Sequence, residues 1–223
     1  TAENKAFLKE MRDGLLSFGH KFPSPGGSSY YLGDDGTPWT ERNRETWITS
    51  RMAHVYSIGT FLGHAGSETL VDAALKGLKG ELHDDLHGGW YAGLTAEGKV
   101  LPTKQCYAHA FVILAACSGV LAGRPGAQEL LQEAVDLYDL RFWNEEEGCL
   151  YDVVSKEQKD GSVRPNQIWV VSLPFSLLSK EQEKQIVDTV YEQLYTPYGI
   201  RSLSAVWNQH EVLNVINPKE DTR

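Results

Sequence analysis

Helix-length amphipathic segments recur along this chain, separated by glycine- and proline-rich breaks. That pattern predicts packed helical hairpins rather than a large sheet. Residues 3–19 place Phe7, Met11, Leu15 and Phe18 on one stripe, which predicts an amphipathic helix packed by that face. Pro23-Ser24-Pro25-Gly26-Gly27 breaks any helix, and Asp34-Asp35-Gly36 has hairpin chemistry between Tyr30-Tyr31-Leu32 and Pro38-Trp39. A long helix is predicted over 43–63, with others near 66–83, 103–122 and 127–142. The helix over 103–122 is stopped by Ala122-Gly123-Arg124-Pro125-Gly126. Gly88-Gly89-Trp90-Tyr91 reads as a hairpin whose glycines are needed only for the turn.

Beyond residue 142 the pattern shortens. Cys149-Leu150-Tyr151-Asp152-Val153-Val154 alternates like one arm of a hairpin, and residues 166–177 are apolar, with Pro174 limiting the helix. Ser179 and Gln182 form a capping-box pattern ahead of the apolar positions Ile186, Val190 and Leu194, and a last helix is expected near 205–214. The expected fold class is all-α, built of helical (α/α) hairpins in one domain over 1–223. Seven or eight helices are expected, with short β-hairpins near 30–39, 88–100 and 148–164.

Charge and composition narrow the partners. At 223 residues and a net charge of -9, the chain can bury a substantial core but offers no basic surface for nucleic acid or an anionic membrane. It has no run of eighteen apolar residues, and Thr1-Ala2-Glu3-Asn4-Lys5 lacks the basic and apolar regions of a secretory signal. Cys106, Cys117 and Cys149 are few and odd in number, which suits reduced, packed thiols and a cytoplasmic protein. No His/Cys/Asp/Glu cluster has ligand spacing, so neither a metal nor another cofactor is expected.

The helix over 43–63 carries the most chemistry. Trp47, Arg51, His54 and Ile58 follow at spacings of four, three and four and share one face, while Ile48, Met52, Val55 and Leu62 form the neighbouring apolar stripe. An arginine between a tryptophan and a histidine offers a fork of donors for sugar hydroxyls, and an indole stacks on the apolar face of a pyranose. The plainer alternative is that Arg51 pairs with a carboxylate and Trp47 belongs to the core.

Three segments carry a family resemblance: Trp47-Ile48-Thr49-Ser50-Arg51-Met52-Ala53-His54-Val55-Tyr56, then Gly88-Gly89-Trp90-Tyr91-Ala92-Gly93, then Lys104-Gln105-Cys106-Tyr107-Ala108-His109-Ala110-Phe111. In that order and spacing the chain resembles the N-acylglucosamine 2-epimerase family, which includes mannose and sulfoquinovose isomerases. The resemblance implies an α/α toroid, here shortened relative to a six-hairpin ring, so that a homo-oligomer would cover the open end of a half-ring. It also implies a small-molecule sugar as substrate, metal-independent proton transfer between adjacent carbons, and a sugar pocket lined by Trp47, Arg51 and Tyr107. Tyr107 and His109 lie on opposite sides of their helix, so only one can face the pocket. Tyr107 is assigned there and His109 to the core.

Proton transfer calls for histidine, and the candidates are His210, His54 and His109. His210 ranks first because the family carries a catalytic histidine near its carboxyl end. The family's Asn-x-x-x-His and His-x-x-Glu segments do not occur here.

The tail has a second resemblance. Arg164-Pro165-Asn166-Gln167-Ile168, Ser172-Leu173-Pro174-Phe175 and Thr196-Pro197-Tyr198-Gly199-Ile200-Arg201-Ser202-Leu203 look like the carboxyl end of glycogen-debranching glucosidases. The chain therefore reads as an epimerase-like part over 1–150 and a debranching-like tail over 151–223, with the epimerase pattern ending after Phe142-Trp143. Such a seam implies recombination or design between related toroids. Two further readings follow: a noncatalytic or engineered scaffold with a partial sugar pocket, or a glucosidase-like hydrolase. The hydrolase needs two opposed carboxylates, whereas Glu145-Glu146-Glu147 and the pair Glu181 and Glu183 read as solvated surface.

Overall fold

The computed structural model describes residues 1–154, 159–172 and 178–204, the side chains of 139–141 and 169 excepted. The predicted helix near 205–214, Pro174 and His210 lie outside the described residues. The chain divides into two compact units, Thr1–Tyr138 and Asp139–Arg223.

In the first unit, α1 (Ala2–Phe18) runs through a single 3-10 turn into the hairpin of β1 (Tyr31–Leu32) and β2 (Pro38–Trp39). Next come β3 (Arg44–Glu45), α2 (Thr46–Phe61), α3 (Ser67–Lys79), β4 (Gly93–Leu94), β5 (Val100–Leu101), β6 (Lys104–Gln105) and α4 (Cys106–Leu121). The helix α5 (Ala127–Phe142) closes this unit and enters the second. There β7 (Trp143–Asn144) pairs with β8 (Cys149–Leu150), and β9 (Val153–Val154) with β10 (Lys159–Asp160). Helices α6 (Gln167–Ser172) and α7 (Lys180–Leu194) follow, then the hairpin of β11 (Tyr195–Thr196) and β12 (Gly199–Ile200). The fold class is all-α, helical-hairpin, with short antiparallel β-hairpins, as expected.

A period of 60 residues organises the first unit. Thr46–Phe61 and Cys106–Leu121 have the same length, and each follows a two-residue strand and an extended N-cap, Glu45 or Gln105. Both helices stop in the same turn, with positive φ at Gly63 and Gly66 in one and at Gly123 and Gly126 in the other, a conformation that favours glycine. Gly59 faces the first residue of its partner helix, Ser67, and Gly119 faces Ala127, where a Cβ would come within 2.9 Å. Two hairpins of one design, α2–α3 and α4–α5, therefore follow one another, and α2 and α4 pack together.

Apart from the fully buried Tyr56, the buried side of α2 is made of small residues: Thr46, Thr49, Ser50, Ala53, Ser57 and Gly59. Ser50 and Ser57 donate back to the carbonyls of Thr46 and Ala53, so burying their hydroxyls leaves nothing unpaired and lets the neighbouring helices approach closely. Val55 and Leu62 of the predicted apolar stripe are instead exposed. Trp90 anchors the segment between the hairpins, with its indole nitrogen donating to Leu78 O at 2.7 Å.

The stripe expected to pack α1 does the opposite. Phe7, Met11, Leu15 and Phe18 are 43–67% exposed, and the helix meets the body through Leu16, whose carbonyl accepts from the buried Tyr56 hydroxyl at 2.7 Å.

In the second unit the expected capping box is present: Gln182 N donates to Ser179 Oγ at 3.2 Å while Ser179 N donates to Gln182 Oε1 at 2.9 Å. Ile186, Val190 and Leu194 are buried. Gln167 opens α6 and pairs its side-chain amide with both backbone groups of Leu150, at 2.8 and 3.1 Å.

Candidate functional site

The first turns of α2 and α4 start where the hairpin backbone receives them. Thr46 N donates to Ala92 O at 3.0 Å and its hydroxyl to Tyr91 O at 2.6 Å. This fixes the angle at which Trp47 and Arg51 leave α2, while Tyr107 and Phe111 hold the matching positions on α4, 60 residues on.

The four side chains meet. The Arg51 guanidinium lies 4.7 Å from the ring centroids of both Trp47 and Phe111, and its Nη2 donates to the Tyr107 hydroxyl at 3.2 Å. Trp47 and Tyr107 are 6.1 Å apart between centroids and Tyr107 and Phe111 4.8 Å, so an aromatic wall surrounds one arginine. Arg51 and Tyr107 are exposed and Trp47 is half-buried. Among the described residues no carboxylate forms an ion pair with Arg51, so the plainer reading of a carboxylate partner has no support. The structure thus brings Trp47, Arg51 and Tyr107 together and adds Phe111, the last residue of the Lys104–Phe111 segment, one helical turn beyond Tyr107.

His54 sits one turn beyond Arg51 on α2. The Ser118 hydroxyl donates to Leu114 O at 2.8 Å, so its oxygen accepts from His54 Nδ1 at 2.8 Å, and the lone pair lies on Nε2. Burial pushes the His54 pKa below its ordinary value and keeps the ring neutral near pH 7. His109 is in the core: Nδ1 donates to Gln105 O at 2.9 Å and Nε2 accepts from Trp90 N at 3.1 Å. Its ring closes on Gly89, where a Cβ would come within 2.7 Å of Nε2 and φ is +76°. The Gly89 position therefore does more than turn the chain, because any side chain there would displace His109.

Two polar clusters flank these groups. The Tyr31 hydroxyl donates to the Glu45 carboxylate, at the N-cap of α2, and its pKa is pushed up to about 12 by burial, that hydrogen bond and the Glu45 charge, with Arg42 and Arg51 opposing.

Between the hairpins, the buried Asp84 accepts from Lys104 Nζ at 2.8 Å and from the backbone of Leu86 and His87 at 3.2 and 3.1 Å. Burial would raise its carboxyl. The Lys104 hydrogen bond, the His87 amide and the Lys104 charge outweigh that and hold it well below the usual carboxylate range. Lys104, itself buried, also donates to Gly88 O, which ties the 84–91 segment to the strand leading into α4. Spacing alone gave no sign of this pair, whose members are 20 residues apart. Among the described residues no group of three or more His, Cys, Asp or Glu could hold a metal ion, and no helix is long and apolar enough to cross a membrane.

Fold and site define an α/α-hairpin protein that presents an arginine inside an aromatic wall at the joined ends of two neighbouring helices. The model of the N-acylglucosamine 2-epimerase family matches residues 26–168, and the chain belongs to that family. The match runs past Phe142-Trp143, where the sequence motifs of the family had stopped. A D-mannose isomerase of Thermobifida fusca is 39% identical over 148 residues, 66% of this chain and 36% of that protein. One of Pseudomonas cannabina pv. alisalensis is 41% identical over 130 residues, 58% of this chain and 31% of that protein. The chain thus spans about a third of the length of these relatives. Among solved structures, a D-mannose isomerase crystal structure superposes with a TM-score of 0.68 at 20% identity, covering 83% of this chain and 52% of that one.

Proposed function

We propose that the chain binds a hexose through Trp47, Arg51 and Tyr107 and interconverts an aldose with its ketose or 2-epimer by proton transfer, without a cofactor. The observation that carries the reading is the Arg51 guanidinium held 4.7 Å from Trp47 and Phe111 and 3.2 Å from the Tyr107 hydroxyl. The aromatic wall suits the apolar face of a pyranose, and the arginine supplies the donors that an enediolate oxygen requires.

In this reading a neutral imidazole takes the proton from carbon 2 of the aldose. The electron pair forms the carbon 1–carbon 2 double bond, and the charge moves to oxygen 1, which Arg51 stabilises. Returning the proton to carbon 1, with the hydroxyl proton passing from oxygen 2 to oxygen 1, gives the ketose; returning it to the other face of carbon 2 gives the epimer.

His54, neutral and with its Nε2 lone pair set by Ser118, is the described residue suited to that step. His210 is the other candidate, and His109 is assigned to holding the Trp90 segment. The two D-mannose isomerases make mannose the first substrate to try. A reducing, cytoplasmic setting belongs to the same reading, since Cys106, Cys117 and Cys149 form no disulfide with one another.

The test is mannose incubated with the protein in deuterated water. Deuterium at carbon 2, or fructose carrying deuterium at carbon 1, is expected with the wild type and lost with Arg51→Ala. Mannose binding that depends on Arg51, with no exchange, would leave a sugar-binding scaffold and sink the catalytic reading.

A further inference from the structure

Tyr31 and Glu45 form a half-buried pair at the start of α2 that the proton transfer described above leaves unused. Two bonds hold the segment leading into β1 against this end of the helix. Ser29 N donates to Thr49 Oγ1 at 2.9 Å, and two residues on the Tyr31 hydroxyl donates to the Glu45 carboxylate. Glu45 is the N-cap of α2, two residues before Trp47. Arg51 follows one turn after Trp47 and, as helical side chains do, leans back toward the helix start, with its guanidinium 4.7 Å from the Trp47 ring. Tyr31 pairs with Trp39 across the hairpin, and the exposed Arg42 lies over both rings, 5.9 Å from Tyr31 and 4.1 Å from Trp39.

The chemistry of the pair limits what it can do. Burial, the bond to Glu45 and the Glu45 charge push the Tyr31 pKa up to about 12, and the charges of Arg42 and Arg51 oppose them. The Arg51 guanidinium is therefore within electrostatic reach of the Tyr31 hydroxyl. A phenol held that high keeps its proton at neutral pH, so it neither gives nor takes one in the reaction. Its proton points at Glu45, which leaves lone pairs on the Tyr31 oxygen, and these can only accept. Arg51 can only donate. A sugar hydroxyl does both, so an acceptor beside an arginine completes its recognition.

We propose that Tyr31 is a specificity-determining residue of the sugar site, its oxygen accepting a hydrogen bond from a hexose hydroxyl away from carbons 1 and 2, with Glu45 holding the phenol proton out of the way. This rests on the reading above that Trp47, Arg51 and Tyr107 bind a hexose. The oxygens on carbons 1 and 2 are excluded because they carry the charge that develops in the reaction and call for donors, whereas an acceptor beside them would oppose it. A site built to bond a hydroxyl discriminates against an analogue that lacks it, since the protein acceptor is then left unpaired.

Calorimetry with mannose and its analogues lacking the hydroxyl at carbon 3, 4 or 6 tests the assignment. The wild type should bind one of the three about tenfold more weakly than mannose. Tyr31→Phe should lower mannose to the affinity of that analogue while leaving the analogue itself unchanged. Glu45→Gln, which releases the phenol proton, should narrow the same gap for the same analogue. A wild type that binds mannose and all three analogues alike overturns the inference. So does a Tyr31→Phe variant that keeps the wild-type preference, or one that loses mannose and every analogue by the same factor, the mark of a residue that only braces α2. In each of these cases the sugar site itself stands if Arg51→Ala still weakens mannose binding. Mannose affinity unchanged in Arg51→Ala overturns the site and this assignment with it.

Discussion

Replacing Lys104 with methionine removes one member of a pair that water barely reaches. Lys104 is 7% exposed and Asp84 4%, and their 2.8 Å contact is joined by the Lys104 donation to Gly88 O. Methionine fills similar space, so the cost comes from leaving the Asp84 carboxylate in the interior with the amides of Leu86 and His87 but without its cation. Breaking a buried pair in this way costs about 3–5 kcal/mol, and the remaining amides argue for the lower figure, about 3 kcal/mol. For a chain of this size that lowers the melting temperature by about 6–12 °C.

The effect also depends on pH, with a definite sign. Asp84 is held below its unfolded value of about 3.9. Its contribution is therefore complete above that pH and is lost as the pH falls through the folded value. The gap between wild type and Lys104→Met should be widest near pH 7 and narrow below about pH 4. Urea titrations followed by circular dichroism at pH 7 and pH 3 measure both quantities. A cost under about 1 kcal/mol at pH 7, or an equal cost at both pH values, would refute the reasoning.

Three other perturbations test separate parts of the structure. Gly89→Ala forces a side chain into a left-handed backbone and onto His109, and should cost at least 2 kcal/mol by thermal melting. Combined with His109→Ala it should cost less than the sum of the two, and strict additivity would disprove the steric account. Ser179→Ala removes the side-chain cap of α7 and should cost about 1 kcal/mol; no change in the urea midpoint would show that the cap contributes nothing. Arg51→Ala should weaken mannose binding by about 1–3 kcal/mol in calorimetry with the fold intact, and unchanged affinity would remove Arg51 from the site.

Local signals proved legible where local physics decides. Ser179 with Gln182 marks a helix start because the bonds that satisfy it lie within one turn. Trp47, Arg51 and Tyr107 could be drawn together only through the family resemblance, since the second helix lies 56 residues from Arg51 and no spacing rule links them. The face of α1 was misjudged because periodicity reports which residues share a stripe, not what lies opposite it: Leu16, off the stripe, is the residue that packs. Lys104 and Asp84 left no trace in the sequence because a buried pair is made by tertiary closure. Gly89 looked like a plain turn residue because its close neighbour, His109, lies on the next helix.

The 60-residue period explains why the site falls where it does. Trp47 and Tyr107 are the second residues of equivalent helices, and Arg51 and Phe111 are the sixth, so packing α2 beside α4 is enough to bring all four together. The positions just ahead are equivalent too. Arg44 and Lys104 are both buried bases on the strand leading into the helix, each answered by an acid from the segment between the hairpins, Glu81 at 4.0 Å and Asp84 at 2.8 Å. A further 60 residues on, Arg164 bonds Asp152 at 2.8 Å just before α6, within the second unit. At the same step, the place of Trp47 and Tyr107 falls to Gln167, whose amide is spent on the Leu150 backbone. The base before each helix belongs to the scaffold, which needs a cation to hold the incoming segment. The residue three places later is free to change chemistry, and only the first two repeats place an aromatic ring there.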